Sequence, residues 1–167
     1  MQEQKVLEAA ETEICQIAVM VKDLNKAIEY YTDLGLGPFS VRTVTHPSAE
    51  VHGKKEYYQV KVALSQQGAV QYELVEYKEG HTIHKEFLDE KGEGLHHILF
   101  KVRDIEATLA RFAQKGISVL QQDRFIGGGG VAYMDTEKIG GVIFEIVEFP
   151  PNYDPQKGLS YVDSSNK

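Results

Sequence analysis

This 167-residue sequence predicts an α+β fold of two β-α-β-β-β modules related by a pseudo-twofold axis. Three observations predict it. A shift of 81 positions lays ICQIAVMVKDLNKAI (14–28) over LHHILFKVRDIEATL (95–109), so that Gln16 falls on His97, Ile17 on Ile98, Val21 on Val102 and Asp23 on Asp104. Each half also closes on a similar run, QYELVEY (71–77) and FEIVEF (144–149), which pairs Glu73 with Glu145. In both halves a short β-branched run precedes a helical periodicity, and further strand-like runs follow it.

Residues 1–12 are polar and read as a loose helix or tail ahead of a domain at 13–149. Module one (13–77) opens with a strand at 14–21, too short for a stable isolated helix. Asp23 is placed to cap the helix that follows, whose Leu24, Ala27, Ile28 and Tyr31 recur at helical spacing and stop before the glycines of LGLGP. Strands at 39–45, 57–64 and 69–77 complete the module. The linker (78–93) carries Ile83, Phe87 and Leu88, enough for one short helix. Module two (94–149) repeats the plan with a strand at 95–102, a helix at 105–115 ended by Gly116, and strands at 118–122, 131–135 and 142–149. From 150 to 167 the composition is that of an extended tail, with Tyr153, Leu159 and Tyr161 free to dock on a neighbour.

A net charge of −7 and a pI near 5.4 exclude non-specific nucleic-acid binding, which needs a basic surface. A single cysteine, Cys15, excludes an internal disulfide, and strand alternation sets it opposite Gln16 as a small core residue. The sequence shows no secretory signal or long apolar run, so a soluble cytoplasmic protein without a membrane partner is expected.

Gln16, Glu73, His97 and Glu145 are polar residues set in mostly apolar strand rows. Taken singly, each reads as a satisfied core polar group or a solvated edge residue. Taken together, their repeat-related placement points to a shared cation, because two carboxylates on core-like strands need compensation. His96 is expected on the opposite face from His97. His46, His52, His81 and His84 fall in loops or linkers, where a solvated imidazole is the default, with His52 nearest the cleft. The glycines at 127–130 lack the Lys-Ser or Lys-Thr of a phosphate loop and read as a mobile lid.

Over residues 14–148, with GLHHILFKVRDIEATLARFAQKGI (94–117) and GGVIFEIVE (140–148) as the most specific stretches, the chain resembles the vicinal oxygen chelate superfamily, and within it the methylmalonyl-CoA epimerases. The resemblance implies that the two modules join into a curved mixed sheet around a metal-binding cleft, with one divalent metal ion (Co, Mn, Ni, Zn or Mg) on Gln16, Glu73, His97 and Glu145, in a homodimer. Gln16 replaces the histidine usual in epimerases, and this ligand set is more like that of glyoxalase I. The resemblance also implies a second carboxylate base, matched here by Glu56 with Glu50 as the fallback, working with Glu145 on a thioester or hemithioacetal substrate. The expected activity is proton abstraction next to a carbonyl, as in an epimerase. Two alternatives stand beside it, a glyoxalase I-like lyase and a non-catalytic small-molecule binding or antibiotic-resistance protein.

Overall fold

The computed structural model describes residues 5–155 and 157–164. Among the described residues the chain forms β1 (Ile14–Val21), α1 (Leu24–Asp33), β2 (Ser40–Val51), β3 (Lys54–Gln67), β4 (Val70–Gly80), α2 (Ile83–Lys91), β5 (Gly94–Lys101), α3 (Ile105–Gln114), β6 (Val119–Arg124), β7 (Gly130–Met134) and β8 (Ile143–Glu148). The two β-α-β-β-β modules are present, with α2 between them. Their strands close into one barrel in the order β1-β4-β3-β2-β6-β7-β8-β5, so the modules meet at two seams, β1 with β5 and β2 with β6. No helix among the described residues is long and apolar enough to cross a membrane.

The β1–β5 seam carries the pseudo-twofold axis. Ile17 lies opposite Ile98, Gln16 opposite Leu99 and Ala18 opposite His97. Exchanging each residue for its repeat equivalent maps these pairs onto one another, so the axis runs through Ile17 and Ile98. Register shifts flank that point on both sides, leaving Cys15 unpaired in β1 and His96 unpaired in β5. Cys15 and His96 are themselves repeat equivalents, so the same bulge occurs twice. A bulge bends its strand and re-aims the neighbouring side chains.

The two module helices, α1 and α3, are each held at the start by the strand that closes their module. Asp23 accepts from the backbone N–H of Lys26 at 3.1 Å, and Asp104 from that of Ala107 at 2.9 Å, as the sequence predicts. A second carboxylate reaches across from the sheet: Glu76 accepts from Leu24 N–H and Glu148 from Ile105 N–H, each at 2.8 Å. Thus each closing strand sends one glutamate, Glu73 or Glu145, to the cavity and another, Glu76 or Glu148, to the free N–H groups at a helix start. The helices bury Leu24, and Ile105 with Phe112, against the outer face of the barrel.

The β2–β6 seam is short, pairing only Glu50 with Gln122 and Val51 with Gln121. The C-terminal segment covers the remainder. It docks on its own barrel rather than on a neighbour: Ile126 N–H donates to Ser160 O at 2.8 Å, Val162 N–H to Arg124 O at 2.9 Å, and Ser48 Oγ to Val162 O at 3.2 Å. The segment before β1 is likewise pinned, since buried Glu11 accepts from Arg111 Nη2 at 2.9 Å. The glycines at 127–130 form a tight turn where a lid was expected. A Cβ on Gly129 would lie 2.1 Å from the carbonyl oxygen of Glu148, so this turn needs glycine to lie against β8.

Removing either cross-sheet cap leaves a helix N–H without its carboxylate. Glu148→Ala and Glu76→Ala are each expected to cost about 1 kcal/mol. The cost should appear as a lowered urea midpoint with an unchanged slope.

Candidate metal centre

Strand register brings the predicted ligands together. Across β4, β1 and β5, Glu73 lies beside Ala18, which lies beside His97; across β4, β1, β5 and β8 the neighbouring row reads Gln71, Gln16, Leu99 and Glu145. Residues in one lateral row share a face, and Gln16 and Ala18 are two apart, so all four candidates belong to the same face. That face lines a cavity of about 530 Å³ whose wall includes Gln16, Glu73 and Glu145.

His97 stands between the carboxylates, its Nε2 2.8 Å from Glu145 Oε2 and 3.6 Å from Glu73 Oε2. The shorter contact lies off hydrogen-bond geometry, and both His97 Nε2 and Glu145 Oε2 are buried without another partner among the described residues. A buried imidazole nitrogen and a carboxylate oxygen in close approach cost free energy unless something positive, a proton or a cation, joins them. Gln16 donates from Nε2 to Gln71 Oε1 at 2.8 Å, which leaves its own Oε1 as the free end of the amide. An imidazole, an amide oxygen and two carboxylates, with no thiolate, fit a hard or borderline divalent cation.

Burial opposes a charge on His97, but the carboxylates of Glu145 and then Glu73 outweigh it and raise its pKa to about 9. An imidazolium therefore balances the carboxylates until a cation replaces its proton.

The structure corrects several expectations about the other polar residues. His96 does not turn away from His97. At the bulge their Nδ1 atoms come within 2.7 Å, and the contact leaves Nε2 of His97 for the carboxylates. His84 is buried in α2 and its ring stacks on that of His96 at 4.6 Å. Burial, reinforced by neighbouring histidines, holds the pKa of both His84 and His96 well below that of a free imidazole, so both are neutral. His84, His96 and His97 form a second group, each offering one donor atom within 4.8 Å of the others. The carboxylate side of His97 is the better seat for a divalent ion, because it supplies the anionic charge that three imidazoles lack.

Glu56 is not brought into the cavity. The chain leaving β4 folds across the end of β3, with His81 N–H donating to Tyr57 O at 3.2 Å, and the Glu56 carboxylate meets His81 Nδ1 at 3.3 Å. His81 and His52 both contact Glu86 at 2.9 Å, so His52 belongs to this exposed network. Glu50 is also exposed, accepting from Gln122 Nε2 at 2.8 Å. By contrast His46, expected in a solvated loop, is buried in the cavity wall with Asp123 2.8 Å from its Nδ1. Sequence reasoning missed both because each stands one residue beyond a predicted strand end.

The sequence model of the glyoxalase/bleomycin resistance protein/dioxygenase superfamily matches residues 15–134. The chain belongs to that superfamily. Among curated proteins it is 28% identical over 137 residues to an uncharacterised Bacillus subtilis (strain 168) protein, YqjC, covering 79% of this chain and 89% of the relative. Among solved structures, a Streptomyces coelicolor methylmalonyl-CoA epimerase variant in complex with 2-nitronate-propionyl-CoA superposes with a TM-score of 0.62 at 25% identity, over 87% of this chain and 99% of the other. The methylmalonyl-CoA epimerase of Mycobacterium tuberculosis gives 0.60 at 23% identity, over 87% and 93%. Members of this superfamily typically bind a divalent metal, and the donor set described above suits one.

Cation uptake should release a proton, because His97 is protonated below pH 9 without the ion. The apparent affinity should rise about tenfold per pH unit up to that value and level off above it. Calorimetry in buffers of different ionisation enthalpy reads the proton directly; uptake that releases none between pH 7 and 8 contradicts the assignment.

Proposed function

We propose that the protein is a metal-dependent isomerase that removes a proton next to a carbonyl, acting on an acyl-CoA thioester in the manner of a methylmalonyl-CoA epimerase. The observation that carries this reading is the meeting of Glu73, His97 and Glu145 beside a cavity, in a chain similar to an epimerase solved with a CoA ester. A divalent cation bound there supplies positive charge to the carbonyl oxygen on which enolate charge develops.

The chain's own residues do the rest. Gln16, Glu73 and His97 fix the position of that charge, and His96 and Gln71 fix theirs through the 2.7 Å and 2.8 Å contacts. Glu145 contributes a carboxylate to the same face and is the group assigned to move a proton on and off the carbon. Apolar residues of the wall, among them Val60, Val62 and Leu99, exclude water from the charge.

A glyoxalase-type lyase is the second reading, and Gln16 at the first ligand position is the observation that favours it. Turnover of the methylglyoxal–glutathione adduct in place of methylmalonyl-CoA would establish it. A binding module without a resident metal is separated from both by elemental analysis.

With a cation at about a hundred times its dissociation constant, the native state gains roughly 2.7 kcal/mol. A chelator is therefore expected to lower the melting temperature by about 5–10 °C for a chain of this size. Glu145→Gln is expected to slow exchange of the α-proton of methylmalonyl-CoA with deuterium by about a hundredfold or more. Wild-type protein carrying its metal but catalysing no such exchange contradicts the proposal.

A further inference from the structure

The wall across the cavity from the candidate metal centre holds a built polar pair that the four ligands do not use. His46 and Asp123 are 5% and 6% exposed and lie on β2 and β6, the two strands that form the second seam. Asp123 approaches His46 Nδ1 with Oδ2 at 2.8 Å and accepts from the backbone N–H of Arg124 with Oδ1 at 2.8 Å. Its carboxylate is therefore held from two sides and fixes the imidazole ring. The ring stacks on Tyr58 at 4.1 Å with 10° between planes, and Tyr161 covers it at 3.9 Å. Among the described residues Nε2 of His46 has no hydrogen-bond partner, and His46 lines the cavity.

Strand order sets the geometry. In the barrel the β1–β5 and β2–β6 seams are diametrically opposed, so the dyad faces the metal centre across the lumen. Inverting a carbon requires one group to take the proton from one face and another to return it to the opposite face. Glu56, expected in the second role, lies outside the cavity beside His81.

Resting on the proposed proton-abstraction reading, we infer that His46 is the second acid/base of this site, with Asp123 as its positioning residue. In one direction Nε2 of His46 accepts the proton as the carbon–hydrogen bond breaks and its electron pair moves into the carbonyl. The carboxylic acid of Glu145 then protonates the other face of the enolate. The reverse handedness runs the same transfers backwards, and between turnovers in one direction water takes the proton from His46 and returns one to Glu145.

Burial lowers the pKa of His46, partly offset by Asp123 and by the fields of Glu145 and Glu73, which favours the neutral base. The rings of Tyr58 and Tyr161 pack on the same imidazole, and burial holds both phenols protonated.

The test separates inversion from exchange. With methylmalonyl-CoA and metal-loaded protein in deuterium oxide, His46→Asn is expected to slow epimerisation by a hundredfold or more, while deuterium still enters the enantiomer served by Glu145. A variant that epimerises normally, or that loses inversion and exchange in equal measure, overturns the role of His46. Long-range 1H–15N NMR of the wild type gives an independent readout and needs no turnover. An Nδ1–H tautomer with bare Nε2 at pH 7, lost in Asp123→Asn, supports the dyad, whereas an Nε2–H tautomer or an imidazolium overturns it. If the wild type exchanges no proton with any of the candidate cations, the reading beneath fails instead, and the NMR result alone decides the dyad.

Discussion

The antiparallel register of β1 against β5 fixes almost everything in this molecule that matters for chemistry. A slip of one residue would turn each strand's side chains to the other face, sending Gln16 and His97 away from the lumen. Two things hold the register. The apolar residues of both strands pack on either side of the sheet, and the paired bulges at Cys15 and His96 allow only one alignment between them. Because Glu73 and Glu145 sit on strands parallel to β1 and β5, their positions follow from the same seam.

A barrel that concentrates two carboxylates on a mostly buried face needs a compensating positive charge, and an imidazolium at His97 supplies one. The imidazolium is held by Glu145 and Glu73, while His96 backs the ring from its other nitrogen. The site is thus ordered in advance, which reduces the reorganisation that binding requires.

The two-module fold and the placement of Gln16, Glu73, His97 and Glu145 on one face were legible because duplication leaves a signal in the residues themselves: Gln16 over His97 and Glu73 over Glu145 need no knowledge of contacts. What escaped depended on local departures from regular strands. His96 was assigned to the wrong face because simple alternation takes no account of a bulge. His46 lies one residue past the strand expected at 39–45, whereas β2 absorbs Pro47 at an irregularity between His46 and Ala49 and continues to Val51. Glu56 was placed by counting along a hairpin, and counting cannot show that residues after β4 cross over the end of β3.

The two seams also bear on how the cleft behaves in solution. Both are formed within a single polypeptide, and the strap from residues 157–164 reinforces the shorter one with its own hydrogen bonds. The opposing walls of the lumen are therefore tethered to each other, and their local concentration is set by chain connectivity instead of by how much protein is present. A cleft assembled in this way keeps its shape on dilution, whatever larger assembly the subunit joins.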